Sequence, residues 1–400
     1  MQSEYSETEQ QFADQVERFI AEHWLNKAQP GVRHRAWSDD SQTRPLRQQW
    51  YRRVVEAGWS VPHWPTEFGG CDWTPTQQHI WFSACMRHQT PPILTFATVH
   101  VGPLLIDLEH PQRHVLLPQI ASFEHAWCLG WAELGSTLDD YALKARLYQE
   151  QENTGHWRLR ANKTRVLDGM NAQWMLCVAL DDNEHSNVVA TSLQQSGVTR
   201  TPKPTLSNGQ PMADIQLTDV TVPSWGRFAV PVAELRQRLS GTTEADLTAL
   251  ADSAALLAQT QQLKQQLQKE ANLESGLLRD CDALVVEVLG LKVMEQRALS
   301  PQRKDSGAQL PRAAVRLRAQ GLWGKLSELQ IAAFGYYALP FVDSVLADNE
   351  GSIDPRRSSG DLDMTMVMQR MLSPTIATEL GLDPRDTLAQ QALGLPEHED

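Results

Sequence analysis

Apolar residues recur at helical spacing through the first third of the chain. The first stretch places an apolar side chain every three to four residues, which predicts an amphipathic helix with one buried stripe. Ser6 and Thr8 are candidate N-caps for this helix. Helical patterns occupy residues 8–25, 43–59, 74–88 and 110–122. The N-terminal third is therefore predicted to be mostly helical, with a loop rich in Pro and Gly at 60–70.

From about residue 126 to residue 235 the pattern changes to short β-rich segments that are separated by turn residues. These segments occupy residues 156–168, 172–182, 186–194, 198–206 and 213–223. Several short strands at this spacing are typical of a β-sandwich or barrel.

Helical patterns return after about residue 242. They occupy residues 244–300, with an interruption near 272–275, then residues 311–339, 361–381 and 384–396. The part at 259–269 is rich in Gln and Lys, but it lacks a sustained heptad repeat. We therefore expect a bundle helix with one solvated face there rather than a coiled coil.

The order of helical, β and helical regions predicts an α+β multi-domain protein. We expect an N-terminal α-helical domain at 1–125, a middle β-sandwich or barrel domain at 126–238, and a C-terminal four-helix bundle at 239–400. No internal repeat and no Gly-rich strand–turn–helix motif is present, which argues against a Rossmann dinucleotide site.

Composition narrows the class of protein. The chain has 400 residues, 41% hydrophobic and 21% charged, which is typical of a soluble globular protein. The net charge of −13 argues against nucleic acid as a partner, because phosphate binding needs a basic surface. The polar, acidic N-terminus and the lack of a long apolar segment predict a cytoplasmic protein without a membrane partner. His63, His100 and His125 lack metal-ligand spacing, so no metal site is expected.

Six strings in order along the chain resemble motifs of the acyl-CoA dehydrogenase family. They are "GWSVPHWPTEFGG", "QRHVLLPQIAS", "WCLGWAELGSTLDDYALKA", "GHWRLRANKTRVLDGMNAQWMLCVAL", "ADIQLTDVTVP" and "SPTIATELGLDPRDTLAQQALGLP". The resemblance covers essentially the whole chain. It implies that FAD lies between the β domain and the bundle, at a dimer interface. It also implies that a Glu carboxylate removes the proton next to the thioester carbonyl while the β-hydrogen leaves as hydride to the flavin.

The resemblance places the first cofactor contacts at Trp131, Ala132 and Glu133. Glu133, Gly135 and Asp139 keep the family pattern, whereas other positions of this loop depart from it. The departures are Ala132 for a flavin-facing hydroxyl, Leu134 for a Pro, and Thr137 and Leu138 for a Gly-Ser pair. Loss of the hydroxyl removes a hydrogen bond of roughly 1 kcal/mol. Leu138 and Asp139 would face the CoA arm.

The second motif and the bundle depart in a similar way. Lys163 and Trp174 are retained, but Arg165 stands at the position of the flavin-stacking Trp, and Val166 and Leu167 stand at hydroxyl positions. In the bundle, Lys269 replaces the Arg that would bind the flavin pyrophosphate. It keeps the charge but loses the bidentate fork.

The tail places Thr378 where many members carry the catalytic Glu, and Glu379 is displaced by one residue. Such a shift moves a side chain by about 100° around a helix. Glu379 is therefore the candidate base, with a solvated helix-end carboxylate as the alternative. Asp252 is a second candidate, because some members carry the base on the first bundle helix. Arg385 keeps a family Arg that could contact CoA or a partner.

The chain keeps the family motifs along its length, but the residues that would contact the cofactor are replaced. Three hypotheses follow from this pattern. The first is a subunit of a heteromeric acyl-CoA dehydrogenase, similar to those of sterol and bile-acid breakdown, in which a paralogous subunit completes the flavin site. The second is a homomeric flavin-dependent enzyme with divergent contacts, and the third is a non-catalytic protein of the same fold. The first two imply an acyl-CoA substrate, a dimer or tetramer, and an electron-transfer flavoprotein as the electron acceptor.

Overall fold

A computed structural model gives the fold of most of the chain. It describes residues 5–25, 43–133, 143–149, 157–203, 212–239, 251–269, 275–299 and 312–334, together with Arg385, Leu388, Ala389 and Leu395. Leu138, Asp139 and Glu379 lie outside the described residues, as do the side chain of Lys269 and the residues 361–381 predicted to be helical.

The N-terminal region is helical, as the spacing of its apolar residues predicts. Its helices are α1 (Glu7–Ile20), α2 (Thr43–Glu56), α3 (Pro75–Arg87), α4 (Gly102–Asp107) and α5 (Arg113–Ala121). Ser6 caps α1 through a capping box, in which its hydroxyl accepts from the Glu9 amide and the Glu9 carboxylate accepts from the Ser6 amide. Ser6 is thereby confirmed as the N-cap.

An aromatic core joins these helices. Trp24, Trp50 and Trp81 are fully buried, and the rings of Trp50 and Trp81 are stacked with centroids 6.1 Å apart. Phe12 and Phe19 pack against the same cluster. Large aromatic side chains bury the most apolar area per residue, so this cluster is a main source of stability for the N-terminal region.

Eight strands form one hydrogen-bonded sheet. They are β1 (Trp127–Gly130), β2 (Arg146–Gln149), β3 (Trp157–Leu167), β4 (Trp174–Leu180), β5 (Ser186–Ser192), β6 (Val198–Lys203), β7 (Met212–Val222) and β8 (Arg227–Phe228). Their order is β6-β7-β3-β2-β4-β5-β8, and β1 pairs in parallel with β4. The sheet curls around an apolar core, so that the Thr191 hydroxyl of β5 donates to the Thr221 carbonyl of β7 at 3.0 Å.

The C-terminal region contains helices that pack on one another. After α6 (Val232–Leu239), the described helices are α7 (Asp252–Lys269), α8 (Ser275–Leu299) and α9 (Arg312–Phe334). α7 ends at Lys269 and α8 begins at Ser275, and most of the interruption predicted near 272–275 lies outside the described residues. Leu256, Val288 and Leu322 are fully buried in the core of this bundle. In the part of the chain that the structure describes, no helix is both long and apolar enough to cross a membrane.

Candidate functional site

Two of the segments predicted to contact a cofactor lie side by side. The segment 131–133 follows β1 and runs along β3, where the Thr164 amide donates to the Ala132 carbonyl at 2.9 Å. An antiparallel bridge between Glu133 and Lys163 continues this contact. The fold therefore brings Ala132 close to the bend that carries Arg165.

A buried ion pair fixes this junction. The Lys163 ammonium donates to a Glu133 carboxylate oxygen at 2.5 Å and to the Val178 carbonyl at 2.9 Å. Both side chains are almost completely buried, at 4% exposure for Glu133 and 1% for Lys163. A buried ion pair is stable only when further hydrogen bonds satisfy both partners, and the Val178 carbonyl supplies one of them.

Glu133 also holds the chain that returns to the sheet. Its carboxylate accepts from the Lys144 amide at 2.6 Å and from the Ala145 amide at 3.2 Å. The backbone before residue 134 and the backbone after residue 143 are thus tied to one carboxylate. Glu133, predicted to bind the cofactor, is held by these contacts as a positioning residue. The sequence carries no signal for the amide donors, because any residue could supply them.

Arg165 lies at a bulge of β3. The pairing of β3 with β7 shifts register between Lys163 and Val166, and Arg165 has a φ of 54°. Such a left-handed conformation is strained for a residue with a side chain. The Arg165 amide donates to the Asp214 carboxylate at 3.1 Å, which holds the bend in place. The Arg165 side chain is exposed at this turn.

Asp214 is the acidic centre of this bulge. It accepts from the Thr164 hydroxyl at 2.6 Å and from the Lys203 ammonium at 2.6 Å. Burial raises the pKa of Asp214, but the hydrogen bonds from Lys203, Thr164 and the Arg165 amide outweigh it and hold the pKa below its usual value. No local sequence pattern singles out Asp214, because its role depends on a register shift that strand periodicity does not reveal.

The other predicted contact residues of these segments are divided between core and surface. Val166 is 1% exposed and belongs to the apolar cluster of the β core, together with Leu159 and Ala213. Leu167 and Trp131 are half-buried, and Trp131 packs against the cluster between the helices and the sheet. Val166 therefore contributes packing at the position where the family has a hydroxyl.

The described residues do not fit a flavin site that belongs to this chain alone. Ala132 has no hydroxyl to offer, Val166 is buried in the core, and the Glu133 carboxylate is bound by Lys163 and two amides. Trp174, retained from the family pattern, stacks on Trp127 with centroids 5.5 Å apart, as part of the domain core. Among the described residues, the frame of the site is present, whereas side-chain hydroxyls are missing at positions 132 and 166.

The remaining candidates do not meet these segments within the described residues. Asp252 lies in the first turn of α7, and its carboxylate accepts from the Trp323 indole at 2.8 Å. This bond joins α7 to α9 and gives Asp252 a structural role. Arg385 is exposed. Among the described residues there is no group of three or more His, Cys, Asp or Glu that could hold a metal ion.

Comparisons with known proteins agree with this architecture. The sequence pattern of the acyl-CoA dehydrogenase N-terminal domain matches residues 6–124. The chain is similar to the ChsE4-ChsE5 complex from Mycobacterium tuberculosis, with a TM-score of 0.77, 17% identity and coverage of 100% of both chains. No curated protein matches the sequence.

Two further solved structures share the fold over nearly their whole length. The Tcur3481-Tcur3483 steroid ACAD matches with a TM-score of 0.71 and 14% identity, covering 100% of both chains. A glutaryl-coenzyme A dehydrogenase in its glutaryl-CoA complex matches with a TM-score of 0.67 and 16% identity, covering 100% of this chain and 98% of that chain. The predicted fold class and the resemblance to the acyl-CoA dehydrogenases are thereby confirmed.

Proposed function

We propose that this chain, which has the acyl-CoA dehydrogenase fold, is a subunit of a heteromeric acyl-CoA dehydrogenase. The reaction is the α,β-dehydrogenation of an acyl-CoA thioester, and a paralogous subunit supplies the competent flavin site. The chain works in the cytoplasm, and an electron-transfer flavoprotein takes up the electrons.

One observation carries this proposal. The segments 131–133 and 163–167 keep their mutual hydrogen bonds and the Glu133–Lys163 ion pair, yet the positions that would grip a flavin are Ala132, Arg165 and Val166. Folding alone does not require a buried ion pair at this point, because a protein with apolar residues of similar volume in its place is often equally stable. The retained frame is what a chain needs if it shapes an interface for a partner.

The residues proposed to border the shared site follow from the resemblance. Trp131, Ala132, Arg165, Leu167 and Lys269 would border the partner's FAD. Leu138, Asp139 and Arg385 would contact the CoA arm, and Glu379 is the proposed base. FAD supplies hydride acceptance when it is bound, and this chain supplies the walls that exclude water.

We propose a steroid or other ring-bearing acyl-CoA as the substrate class and a heterotetramer as the assembly. In support, two of the similar structures are the ChsE4-ChsE5 complex and the Tcur3481-Tcur3483 steroid ACAD, and both have higher TM-scores than the glutaryl-CoA dehydrogenase.

Separate and joint expression tests the proposal. The chain would be purified alone and together with a motif-complete acyl-CoA dehydrogenase chain encoded beside it, and flavin absorbance and dehydrogenation of a panel of acyl-CoA thioesters would be measured. We expect a colourless chain alone and a yellow, active complex. A yellow and active protein made of this chain alone would instead establish a homomeric enzyme, and a colourless, inactive mixture would favour a non-catalytic protein.

The same complex locates the base. Glu379→Gln should abolish turnover while flavin absorbance stays unchanged. Glu184→Gln is the matched control, because its side chain is 69% exposed and belongs to the β domain. Full activity of the Glu379→Gln complex would assign the base to the partner.

A further inference from the structure

The outer face of three neighbouring strands concentrates positive charge. The strands β2 and β3 are antiparallel, and their register places Arg146 directly opposite Arg160. Two residues farther along, Tyr148 stands directly opposite Arg158. Side chains alternate between the two faces of a sheet, and the residues between these positions are buried. These four side chains therefore lie on the outer face, and together with Asp219 of β7 we call them the arginine face.

This arrangement is unfavourable for the sheet by itself. Like charges directly opposite each other on paired strands destabilise the pairing. Glu184 lies 3.3 Å from Arg146, but the two side chains are 69% and 47% exposed, and an ion pair in water contributes little. The arginine face carries three positive charges and one negative charge, on a chain whose net charge is −13. Its charge is thus opposite to that of the chain as a whole.

Asp219 holds the arginine face in a fixed arrangement. The pairing of β3 with β7 shifts register around Arg160, and Asp219 at this bulge has a φ of 53°. Its Oδ1 accepts from the Arg160 Nε at 3.0 Å and Nη2 at 2.6 Å, and also from the Tyr148 hydroxyl. Its carbonyl accepts from the Arg158 Nη1 at 3.2 Å. A left-handed backbone at a residue with a side chain is strained, so these contacts hold it in place.

The guanidinium groups stay accessible although they are held. Arg160 remains 63% exposed, and its guanidinium lies 5.5 Å from the centroid of the Tyr148 ring. Arg158 is steadied by a second bond, from its Nη1 to the Thr221 hydroxyl at 2.9 Å. A guanidinium that is already oriented loses less conformational entropy when it binds an anion. The face therefore presents oriented cations to the solvent.

The flat shape of the face favours carboxylates on an extended chain over a free phosphate. Guanidinium groups bind carboxylates and phosphates alike. Phosphate sites, however, commonly use backbone amides at the N-terminus of a helix, whereas the arginine face consists of side chains on paired strands. Arg158 and Arg160 are two residues apart on β3, which separates them by about 7 Å. The same spacing separates alternate side chains of an extended peptide.

We propose that the arginine face docks an extended acidic segment of another protein, in which carboxylates at alternate residues contact Arg158 and Arg160. The negative charge of the rest of the chain opposes long polyanions, because these need a broad basic surface. A short acidic segment requires only the face itself. This contact lies outside the segments 131–133 and 163–167 and does not depend on the proposed function.

Peptide binding to the full chain tests the proposal. The probe is a fluorescein-labelled peptide of alternating Glu and Ser, about eight residues long, so that it spans the face when extended. Fluorescence anisotropy should show binding that weakens as salt is added, because exposed charges are screened. The same peptide with Gln in place of Glu should not bind.

Two double variants locate the contact. Arg158→Gln with Arg160→Gln should raise the dissociation constant of the Glu peptide about tenfold or more, because two charged hydrogen-bond donors are lost. Arg158→Lys with Arg160→Lys keeps the charge but loses the planar fork, so its affinity should lie between the two. Arg52→Gln is the matched control, because Arg52 is exposed on α2 and far from the sheet in sequence, and it should bind like the wild type. Circular dichroism checks that each variant is folded.

The proposal is overturned if the Glu peptide does not bind at low salt, or if Arg52→Gln weakens binding as much as the Gln double variant does. Inorganic pyrophosphate is the competing probe. Tighter binding of pyrophosphate than of the peptide, lost in the Gln double variant, would make the face a phosphate site and would also overturn the proposal. The flavin content of the co-expressed complex reports on the proposed function separately, so the two proposals can fail independently.

Discussion

Glu133 and Lys163 are charged residues in an environment that disfavours charge. Removing a carboxylate and an ammonium from water costs several kcal/mol each, and their mutual attraction offsets this only with good geometry. Here the pair is completed by the Val178 carbonyl and by the amides of residues 144 and 145. The pair therefore holds the segment that follows β1 against β3 and against residues 144 and 145. This positioning does not require the pair to add to the net free energy of unfolding.

Breaking one side of this pair should be more harmful than removing both. We expect Lys163→Met to lower the free energy of unfolding by about 3–5 kcal/mol, because it leaves an unpaired buried carboxylate. Lys163→Met combined with Glu133→Gln should recover part of that loss. Urea unfolding of the wild type, the two single variants and the double variant gives the coupling energy between the two residues. If the losses of unfolding free energy in the single variants add up to the loss in the double variant, a direct interaction is contradicted.

His63 is a second residue whose protonation state is set by burial. Burial lowers the pKa of His63 to about 4, and the hydrogen bond that its Nε2 donates to the Thr98 carbonyl opposes this only in part. Its buried Nδ1 finds no hydrogen-bond partner among the residues that the structure describes. His63 is therefore neutral in the folded protein at pH 7.

This neutral histidine predicts a loss of stability in acid. In the unfolded chain the pKa is about 6.5, so between pH 6.5 and pH 4 the unfolded state binds the extra proton. The contribution of His63 is fully present above pH 6.5, and roughly 3 kcal/mol of it is lost by pH 4. His63→Gln should flatten the pH dependence of urea unfolding in this range. The exposed His185→Gln should leave it as it is, and equal slopes for the two variants would argue against this account.

At the scale of elements, the helices that the sequence predicts best are the long amphipathic ones. The helices α1 and α3 show a clear apolar stripe or a capping residue, and each begins within one residue of its predicted start. The strands β3, β4, β5 and β7 were predictable for a similar reason, since turn residues separate β-rich runs. Local sequence patterns of this kind predict the structure correctly because the tertiary contacts favour the same helices and strands.

The elements that the sequence did not predict are short or fully buried. The four residues of β1 are all buried, so they show no alternation and read as part of a loop. The helix α4 has six residues and begins with Gly-Pro. Gly102 is needed there because a Cβ would lie 2.0 Å from the ring of Trp64. This need for glycine comes from a contact with a residue that is distant in the sequence, so the local sequence pattern does not predict it.

The candidate site was predictable only in part. Family motifs identified the segments that contain Ala132 and Arg165, but the buried place of Val166 and the role of Asp214 depend on the bulge in β3. A bulge reverses which side chains face the core, and no periodicity rule anticipates it.

For the whole molecule, a polar junction holds the N-terminal helices to the bundle. Glu295 of α8 is fully buried, and its carboxylate accepts from the amide of Ser253 at 2.9 Å and from the Ser253 hydroxyl. His79 of α3 lies 3.5 Å from the same carboxylate. Because Ser253 is in the first turn of α7, the carboxylate also benefits from the positive end of that helix dipole.

Loss of this carboxylate should loosen the two regions from each other. We expect Glu295→Gln to lower the free energy of unfolding by about 2 kcal/mol, since a buried donor is left with a poorer acceptor. In scanning calorimetry the single transition should broaden or split. Glu328→Gln, an exposed position on α9, is the control. An unchanged, sharp transition in Glu295→Gln would mean that the junction does not couple the regions.

The uneven distribution of tryptophan determines which parts of the protein can be followed by fluorescence during unfolding. Of the 13 tryptophans, only Trp323 lies beyond residue 225. Intrinsic fluorescence of the chain therefore reports almost entirely on the helical N-terminal core and the sheet, while far-ultraviolet ellipticity reports on the bundle as well. A difference between the two signals along one melting curve would show the order in which the parts of the protein come apart.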